Sequence, residues 1–342
     1  MVTMLDVAKK VGVSKATVSR VLNGKDIVSE DIKKRVLAAI EEIGYRPNLL
    51  AQQLAMKKNN LMGFVMTNSL YDGPYFSAMA YKVASFSEKY GHQLILADGK
   101  HSAEYERKAI NFLLDLKCSG ILVYPQYLST SELENIIDEN QTPIIIINRY
   151  LPNKPDKFIS VDHVQSSELL IDYVLSQGHK EIAFIQGEKG SISGHYRLQS
   201  YKNRLTMSGI NINEQLIVSG NWSLGSGYQA TKELLSRKVK FTALIASNDD
   251  MAIGAIKALK ESGLQIPNDI SIAGFDNSTM CEYISPQLTS VSFPFDNILE
   301  QAIIKIIEPD FCFEKNKIKG QLIIRESVSS VTVANRNIAY GF

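Results

Sequence analysis

Three short helical segments at the N-terminus constrain the fold of this chain more than any other feature. Thr3 with Asp6 has the spacing of a capping box, Ser14 is a typical N-cap, and Gly44 is a typical residue just past a helix end. The predicted helices run from Met4 up to Gly12, from Lys15 to about Leu22, and from Ser29 to Ile43. The side chains expected to pack between them are Leu5, Val7, Ala8, Val11, Val18, Val21, Val36, Leu37, Ile40 and Ile43. Two short helices around a glycine-containing turn, with a third in support, form a helix-turn-helix arrangement.

The second predicted helix carries the residues that such an arrangement uses to contact DNA. In this layout it enters the major groove, and its N-terminal residues meet base edges. The residues expected to contact DNA here are Ser14, Lys15, Ala16, Thr17, Ser19 and Arg20. Arg20 can form two hydrogen bonds with one guanine, Ala16 is small enough to touch a thymine methyl, and the hydroxyl side chains can donate to phosphates. A three-helix bundle of some other purpose is the alternative.

The charge of the chain is divided unevenly between its N-terminal segment and the rest. The whole chain has a net charge of +1, whereas residues 1–58 hold eleven basic and six acidic side chains, a net +5. The remaining residues therefore carry 1 − 5 = −4. A basic head on an acidic body is typical of a protein that binds nucleic acid, although a merely solvated charged surface would look the same.

Residues 45–58, which we call the hinge segment, follow the third helix. Pro47 disfavours helix at the preceding Arg46, and Asn48 can cap a new helix of about two turns. A helix this short is marginal in water, so we expect it to form only against a partner helix and DNA. Leu54 suits insertion between base steps in the minor groove, with packing against the body as the alternative.

These N-terminal stretches resemble one family closely. The segments VTMLDVAKKVGVSKATVSRVLNG, VSEDIKKRVLAAIEEIGYRPN and LAQQLA are similar to the lactose/galactose-repressor family of transcription regulators. The resemblance implies a homodimer bound to a pseudo-palindromic double-stranded DNA operator. It also implies base contacts from Lys15, Ala16 and Arg20. The hinge residues implied to contact DNA are Asn48, Ala51 and Leu54.

Beyond Leu61, short apolar runs alternate with amphipathic stretches such as 103–116 and 166–177. The predicted strands are Leu61–Met66, Gln93–Ala97, Gly120–Tyr124, Pro143–Ile147, Ile159–Val161, Glu181–Ile185, Ala243–Ala246 and Ser271–Gly274. Strands that are apolar almost throughout, alternating with helices, indicate parallel sheets covered on both faces. The expected fold class is α/β, preceded by an all-α headpiece.

Candidate ligand-binding side chains follow these strands, at the end where parallel sheets bind ligands. They are Asn68, Leu70, Tyr71, Asp98, Asn148, Arg149, Asn248, Asp249, Asp250 and Asp276. With Trp222 and several tyrosines they suit a sugar, because amides and carboxylates bond hydroxyls and aromatic faces cover ring C–H groups. Helix capping is the alternative for each one alone, above all for Asp249 and Asp250.

The body resembles the same family, and through it the periplasmic sugar-binding fold, from about Leu61 to Ser327. The stretches ASNDDMAIGAIKAL, SIAGFD, NWSLGSGYQAT and HYRLQSY carry the resemblance, although Ser200 stands where the family commonly has glycine. It implies two doubly wound parallel-sheet subdomains joined by three crossovers, near Val161, Val291 and Gln321. The effector contacts that it implies are Asn148, Arg197, Trp222, Asn248 and Asp276.

The domain organisation expected from these patterns has five parts. They are a helix-turn-helix domain at 1–44, a hinge helix at 45–58, a first sensor subdomain at 59–161 and 291–320, a second at 162–290 and 321–331, and a tail at 332–342. The tail shows no heptads, so we expect a dimer rather than a tetramer held by a coiled coil.

Two stretches, LADGKHSAEYERKAINFLLDLKC and YRPNLLAQQLA, resemble family members that control aryl-β-glucoside operons (arbutin, salicin, cellobiose). This resemblance implies a repressor of sugar-utilisation genes that is released by a β-glucoside or its 6-phosphate. Nothing in the residue chemistry itself selects a β-glucoside over another sugar. A regulator activated by a corepressor or a protein partner remains the alternative.

The lack of catalytic and cofactor motifs in the sequence argues against an enzyme. The chain has no GxxxxGK[ST] or GxSxG motif, and its five histidines show no metal-ligand spacing. Residues 225–230 fit GxGxxA, but no acidic residue ends a second strand about twenty residues later, as a dinucleotide site requires. Cys118, Cys281 and Cys312 are too few and too far apart for a disulfide framework or a metal site. We therefore expect no metal and no cofactor.

The location expected from the sequence is the cytoplasm. No apolar run reaches the roughly 18 residues that a membrane span needs. The first residues lack the basic and apolar regions of a signal peptide. These features, with the helix-turn-helix pattern, argue against a secreted transport receptor, which is the other class that uses this body fold.

Overall fold

The computed structural model describes residues 2–22, 27–46, 60–67 and 74–331. The chain divides into two compact units, Met1–Leu61 and Met62–Phe342. We call the first the headpiece and the second the sensor.

The headpiece consists of three helices at the places where caps and glycines predict them. They are α1 (Met4–Val11), α2 (Lys15–Leu22) and α3 (Glu30–Ile43). Asp6 Oδ2 accepts hydrogen bonds from Thr3 N at 2.9 Å and Thr3 Oγ1 at 2.7 Å, and Ser14 Oγ accepts one from Thr17 N at 3.1 Å. Gly12 and Gly44 end α1 and α3 in the left-handed conformation, with φ of 73° and 65°. The predicted helix-turn-helix fold is confirmed.

The core of the headpiece is small and built almost entirely of valine and alanine. Its buried members are Val7, Ala8, Val11, Val18, Val21, Val28, Val36 and Ala39. Leu5 and Leu37, which were also expected inside, are instead 49% and 52% exposed. Successive helical residues turn by about 100°, which places Leu5 roughly 110° and Leu37 roughly 130° from the centre of the buried set on its helix. Their predicted burial is therefore wrong.

The sensor contains two six-stranded sheets. The strands are β1 (Leu61–Met66), β2 (Gln93–Asp98), β3 (Gly120–Val123), β4 (Ile144–Ile147), β5 (Phe158–Val161), β6 (Ile182–Gln186), β7 (Ile217–Ser219), β8 (Ala243–Ala246), β9 (Ser271–Phe275), β10 (Thr289–Ser292), β11 (Lys317–Ile318) and β12 (Gln321–Ile323). Every strand predicted from the sequence is present, with ends within one residue, whereas β7, β10, β11 and β12 were not predicted.

Helices alternate with these strands along the sensor. They are α4 (Pro74–Lys89), α5 (Ala103–Asp115), α6 (Thr130–Asp138), α7 (His163–Ser176), α8 (Ile192–Met207), α9 (Leu224–Ser236), α10 (Asp249–Glu261), α11 (Met280–Tyr283) and α12 (Phe295–Ile307), with short 3₁₀ turns at Pro155–Lys157 and Glu214–Leu216.

Both sheets repeat one topology. The first has the order β2-β1-β3-β4-β5-β11 and the second β7-β6-β8-β9-β10-β12. In the first sheet, neighbouring strands are parallel from β1 through β3, β4 and β5 to β11. In the second, neighbouring strands are parallel from β7 through β6, β8 and β9 to β10, and β12 pairs with β10 antiparallel. The strand order reverses between β1 and β3 and between β6 and β8, which are the switch points where doubly wound sheets bind ligands. The predicted fold class is confirmed.

The chain passes between the two sheets after β5, after β10 and between β11 and β12. Helix α12 returns to the first sheet, since it packs against β3, β4 and β5. We refer to the layers around the two sheets as the first and second subdomains. Within the described residues, no helix combines the length and the apolar character that a membrane crossing requires.

Candidate effector site and DNA-contacting helix

Helix α2 presents polar side chains on the side opposite its buried valines. Val18 and Val21 are buried and fix the helix to the headpiece core, while Lys15, Ala16 and Arg20 are exposed. The remaining residues predicted to contact DNA from this helix are Ser14, Thr17 and Ser19. Ser14 and Thr17 cap the helix start, with their hydroxyl oxygens 2.9 Å apart. This surface presents one guanidinium, one ammonium and one methyl group together, which is the mixture that reads base edges in a major groove.

Six of the predicted contact residues lie outside the described residues. They are Asn48, Ala51 and Leu54 of the hinge segment, and Asn68, Leu70 and Tyr71 after β1. Their assignments stay predictions from the sequence.

Arg197, on α8, is the centre of the candidate effector site in the second subdomain. Only 4% of the residue is exposed, and its Nη2 donates to Asp276 Oδ1 at 2.9 Å, while Nη1 donates to the carbonyl of Ser247. Its guanidinium carbon lies 4.7 Å, 5.2 Å and 5.9 Å from the ring centroids of Phe275, Phe293 and Trp222. The cation is therefore held by one carboxylate and three aromatic faces, an arrangement that we call the arginine cluster.

Asp276 stands on a strained turn, since its φ is 100° and that of Asn277 is 49°. The buried Asp249 carboxylate holds this turn. It accepts hydrogen bonds from Ser278 N at 2.7 Å, Ser290 Oγ at 2.7 Å and Cys281 Sγ at 3.1 Å. Asp249 is therefore a structural carboxylate that positions Asp276, rather than a free ligand-binding group.

Burial raises the pKa of Asp249 to about 7 from an ordinary 3.8, and the nearby Asp276 carboxylate adds to the rise. The three hydrogen bonds oppose this effect, but desolvation outweighs them. Because its pKa is higher in the folded state, the folded protein keeps a proton that the unfolded chain releases. The stability gained in this way is fully present below pH 3.8 and is lost as the pH rises through about 7.

Asn248 and Trp222 are joined at the end of β8, beside the switch point of the second sheet. Asn248 Oδ1 accepts from Met251 N at 3.0 Å and so caps α10, while its Nδ2 donates to the carbonyl of Trp222 at 2.8 Å. Trp222 has a left-handed φ of 72°. A Cβ atom on Gly187 would lie 2.1 Å from the indole ring, and one on Gly194 would lie 3.3 Å away. These two glycines make room for the ring, and neither was among the residues predicted from the sequence.

Asn148 belongs to a second polar group, on the first subdomain. It has a left-handed φ of 61°, and its Nδ2 donates to Tyr124 Oη at 2.7 Å. His163, the first residue of α7, has its Nε2 2.8 Å from Asn148 Oδ1. The His163 ring stacks on Tyr196 at 6.3 Å and 10° and meets the edge of Phe293 at 5.9 Å. Tyr124 and His163 were not among the predicted site residues.

Arg149 follows Asn148, and part of its guanidinium already bonds to the protein. Its Nη1 donates to the carbonyl of Leu128 at 3.0 Å. The buried Glu106 carboxylate accepts from the backbone N–H groups of the same loop, at 2.6 Å from Gln126 and 2.8 Å from Leu128. Burial raises the pKa of Glu106 against these bonds, and burial lowers the pKa of Arg149. The two side chains shape the loop after β3, and Glu106 was also missed.

Two cavities open between the subdomains. The larger, of about 500 Å³, includes Asn148, Arg149, Tyr150, His163, Tyr196 and Lys317 in its lining, and we call it the larger groove. The smaller, of about 210 Å³, includes Lys82, Asn248, Asp276 and Asp296. The predicted site residues Asn148, Asn248 and Asp276 thus reach cavities that both subdomains share.

Several buried polar atoms around these cavities have no partner in the described part of the chain. They are Arg149 Nε, His163 Nδ1, Arg197 Nε and Ser247 Oγ. A buried polar atom without a hydrogen bond costs about 1–3 kcal/mol, so a native protein tolerates few of them. Arg149 and His163 line the larger groove, while Arg197 bonds Asp276 and Ser247 precedes Asn248, two residues that line the smaller cavity. Their unpaired atoms indicate a place for a ligand that both donates and accepts hydrogen bonds.

A metal cluster and a dinucleotide phosphate loop find no support among the described residues. No group of three or more histidine, cysteine or carboxylate side chains there has metal-binding geometry. The three cysteines are free, with Cys118 and Cys281 buried and Cys312 exposed. The GxGxxA match lies inside α9, where a Cβ on Gly227 would lie 2.1 Å from the carbonyl oxygen of Met251. That glycine permits α9 to pack against α10, so the motif is not a phosphate loop.

A helix-turn-helix headpiece joined to a two-subdomain ligand-binding fold defines a DNA-binding regulator with a sensor. Comparison with known proteins supports the same class of protein. The model of bacterial regulatory proteins of the lacI family matches residues 3–48, and that of the periplasmic binding protein-like domain matches residues 171–328. The HTH-type transcriptional regulator AscG of Escherichia coli (strain K12) is 46% identical over 332 residues, covering 96% of this chain and 98% of AscG.

Solved structures show the same architecture. The lac repressor dimer bound to operator and the anti-inducer ONPF is 28% identical with a TM-score of 0.81, covering 96% of this chain and 99% of that one. The complex of the transcriptional regulator CelR with cellobiose is 28% identical with a TM-score of 0.68, covering 96% and 100%. The chain belongs to the lacI family of bacterial regulatory proteins and is a transcriptional regulator rather than an enzyme.

Proposed function

We propose that this protein is a repressor that binds a palindromic operator as a homodimer and releases it when a small sugar binds between the sensor subdomains. The observation that carries the sensor half of this proposal is the arginine cluster. It places a buried, half-satisfied guanidinium beside three aromatic faces and bonds it to Asp276, whose side chain belongs to the lining of a cavity shared by both subdomains. Such a set bonds hydroxyl groups and covers the apolar face of a sugar ring.

The residues we assign to effector binding come from both sides of the cleft. They are Asn68, Leu70, Tyr71, Asn148, Arg197, Trp222, Asn248 and Asp276. Asn248 retains an unused lone pair and an unused N–H beyond its capping bonds, so capping and ligand binding are compatible.

For the DNA-binding half, we assign base reading to Lys15, Ala16 and Arg20, since all three are exposed on α2. We assign phosphate contacts to Ser14, Thr17 and Ser19. The sequence of the hinge segment supports further contacts from Asn48, Ala51 and Leu54 in the minor groove.

We propose a β-glucoside or its 6-phosphate as the effector. Two similarities support this choice: 46% identity to AscG, and a fold shared with CelR, which has been solved with cellobiose. The genes under control would then encode sugar utilisation.

The domain boundaries that we propose make the hinge segment the link between sensor and headpiece. They are 1–44 for DNA binding, 45–58 for the hinge, 59–161 with 291–320 and 162–290 with 321–331 for the two subdomains, and 332–342 for the tail.

A sugar that binds one relative orientation of the subdomains more tightly shifts the population toward it. Paired hinge helices that separate in that orientation lose their minor-groove contacts, and the operator is released.

The test is an unbiased selection of DNA sites by the full-length protein, followed by gel shifts with cellobiose, salicin, arbutin and salicin 6-phosphate. We expect a palindromic site and its release by at least one of these compounds. Tighter DNA binding with a sugar would instead identify a corepressor-controlled regulator. Selection of no palindrome would contradict the operator assignment.

A further inference from the structure

His163 occupies the place where the two subdomains meet. It is the first residue of α7, after the chain has left β5 of the first sheet, and 7% of it is exposed. Its ring lies between Tyr196 of α8 and Phe293, which follows β10. It lines the larger groove together with Asn148. A residue here contacts both subdomains and the cavity between them at once.

The hydrogen bonds around His163 define which of its ring nitrogens carries a proton. Asn148 Nδ2 donates to Tyr124 Oη at 2.7 Å, which turns the Asn148 carbonyl oxygen toward the imidazole. That oxygen lies 2.8 Å from Nε2 and can only accept, so Nε2 carries the hydrogen. Burial, with the Arg197 cation as a second cause, lowers the pKa of His163 to about 3, which keeps the ring neutral. Nδ1 is therefore a lone-pair acceptor.

This acceptor is buried and has no hydrogen-bond partner among the residues that the structure describes. The other unpaired atoms of the guanidinium groups nearby, Arg197 Nε and Arg149 Nε, are donors only. A hydroxyl group both donates and accepts, whereas a simple anion only accepts and an ammonium only donates. A polyhydroxylated ligand is the chemical class that satisfies donors and acceptor together.

A purely structural role explains the position less well. A phenylalanine would fill the space between Tyr196 and Phe293 without burying an unsatisfied nitrogen. The bond to Asn148 uses only one of the two ring nitrogens. A buried polar atom with no partner in the described part of the chain favours a hydrogen bond from a bound ligand.

We propose that His163 Nδ1 accepts a hydrogen bond from a hydroxyl group of the effector and so contributes to selecting a polyol ligand. The proposal rests on the sugar-sensing function argued above. Asn148 and Tyr124 hold the ring in place through Nε2, and they are positioning residues for this contact.

Two substitutions separate the two nitrogens of the ring. His163→Gln places an amide donor near the former Nε2, so it keeps the bond to Asn148 and loses the acceptor at Nδ1. His163→Asn does the reverse, because its shorter side chain places a carbonyl oxygen near Nδ1 and cannot reach Asn148. His195→Gln is the matched control, since His195 lines the same groove, contacts the Tyr196 ring edge at 5.9 Å and is exposed.

The affinity of each full-length variant for cellobiose, salicin, arbutin and salicin 6-phosphate is measured by isothermal titration calorimetry. Thermal unfolding without ligand measures the stability of each variant separately. For the compounds that bind the unsubstituted protein, we expect His163→Gln to weaken binding about tenfold or more, the scale of one lost hydrogen bond to a ligand. We expect His163→Asn to retain affinity within about threefold, and His195→Gln within about twofold.

The opposite order, with His163→Asn the weaker binder, would assign His163 a role through Asn148 and overturn the proposal. Equal affinity of His163→Gln and the unsubstituted protein would overturn it too, while leaving the sugar-sensing function standing. If the unsubstituted protein binds none of the four compounds, the β-glucoside assignment fails and this inference fails with it.

Discussion

Replacing Asp276 by alanine tests the arginine cluster most severely, because it removes the carboxylate and leaves the cation behind. The Arg197 side chain is 5% exposed and that of Asp276 18%, so the pair is largely withdrawn from water. Breaking such a pair from one side costs about 3–5 kcal/mol, because the remaining charge is buried without a partner. The carbonyl of Ser247 and the aromatic faces still contact Arg197, which places the expected loss near the lower end, at about 3 kcal/mol.

A loss of this size lowers the unfolding temperature by roughly 5 °C for a unit of the sensor's size. Calorimetry of the full-length protein without ligand measures it directly. Asp276→Asn keeps a carbonyl acceptor for Arg197 and should lose less stability than Asp276→Ala. The double variant Arg197→Met/Asp276→Ala removes the uncompensated cation and should regain most of the stability. A loss below about 1 kcal/mol for Asp276→Ala, or a double variant no more stable than it, would refute the buried-pair reasoning.

Three further changes have defined outcomes. Arg20→Ala should cost about 1–3 kcal/mol of operator binding and relax specificity at one base position, and an equal loss on random DNA would rule out base reading. Gly254→Ala places a Cβ 2.0 Å from the carbonyl oxygen of Leu224 and should destabilise the protein by about 1–3 kcal/mol in urea unfolding, whereas Gly225→Ala, which meets no atom within 4 Å, should not. The free energy of unfolding should fall by up to about 1.4 kcal/mol per unit as the pH rises from 4 to 7, and Asp249→Asn should flatten that slope; an unchanged slope would contradict the assignment.

The headpiece could be predicted almost completely because its signals are local. Caps such as Thr3 with Asp6, and glycines that end helices, act within a few residues of one another. The predicted burial of Leu37 was wrong, because the packing of the three helices decides how many side chains around each helix are buried. The apolar character of a residue alone does not determine this.

In the sensor, long apolar strands were predictable and short or polar ones were not. β7 and β12 have three residues each and β11 has two, which is too short for any period to show. β10 reads Thr-Ser-Val-Ser, yet Thr289 and Ser290 are fully buried. Their hydroxyls bond inside the protein, as Ser290 does with Asp249, so burial there depends on partners distant in the sequence.

Residues of the candidate site were predictable where they directly follow a strand and unpredictable where they act through another residue. Asn148 and Asp276, whose effector contacts stay predictions, were singled out by their position at strand ends. Glu106 and His163 were missed, because their partners lie 15 to 22 residues away and only the folded sheet brings them together. Asp249 was left with two readings, ligand binding and helix capping, but the cap of α10 is Asn248, and the three hydrogen bonds of Asp249 hold the turn that follows β9.

In the proposed mechanism, sugar bound in the cleft and operator DNA bound to the headpiece each weaken the binding of the other. A measurement of this coupling between the two affinities tests the mechanism most directly. The measurement is the affinity of the full-length protein for its tightest-binding glucoside, by titration calorimetry, with and without saturating selected operator DNA. Coupling between two binding sites is reciprocal. We expect operator DNA to weaken sugar binding by the same factor by which sugar weakens operator binding. Equal sugar affinity in the two conditions would contradict it.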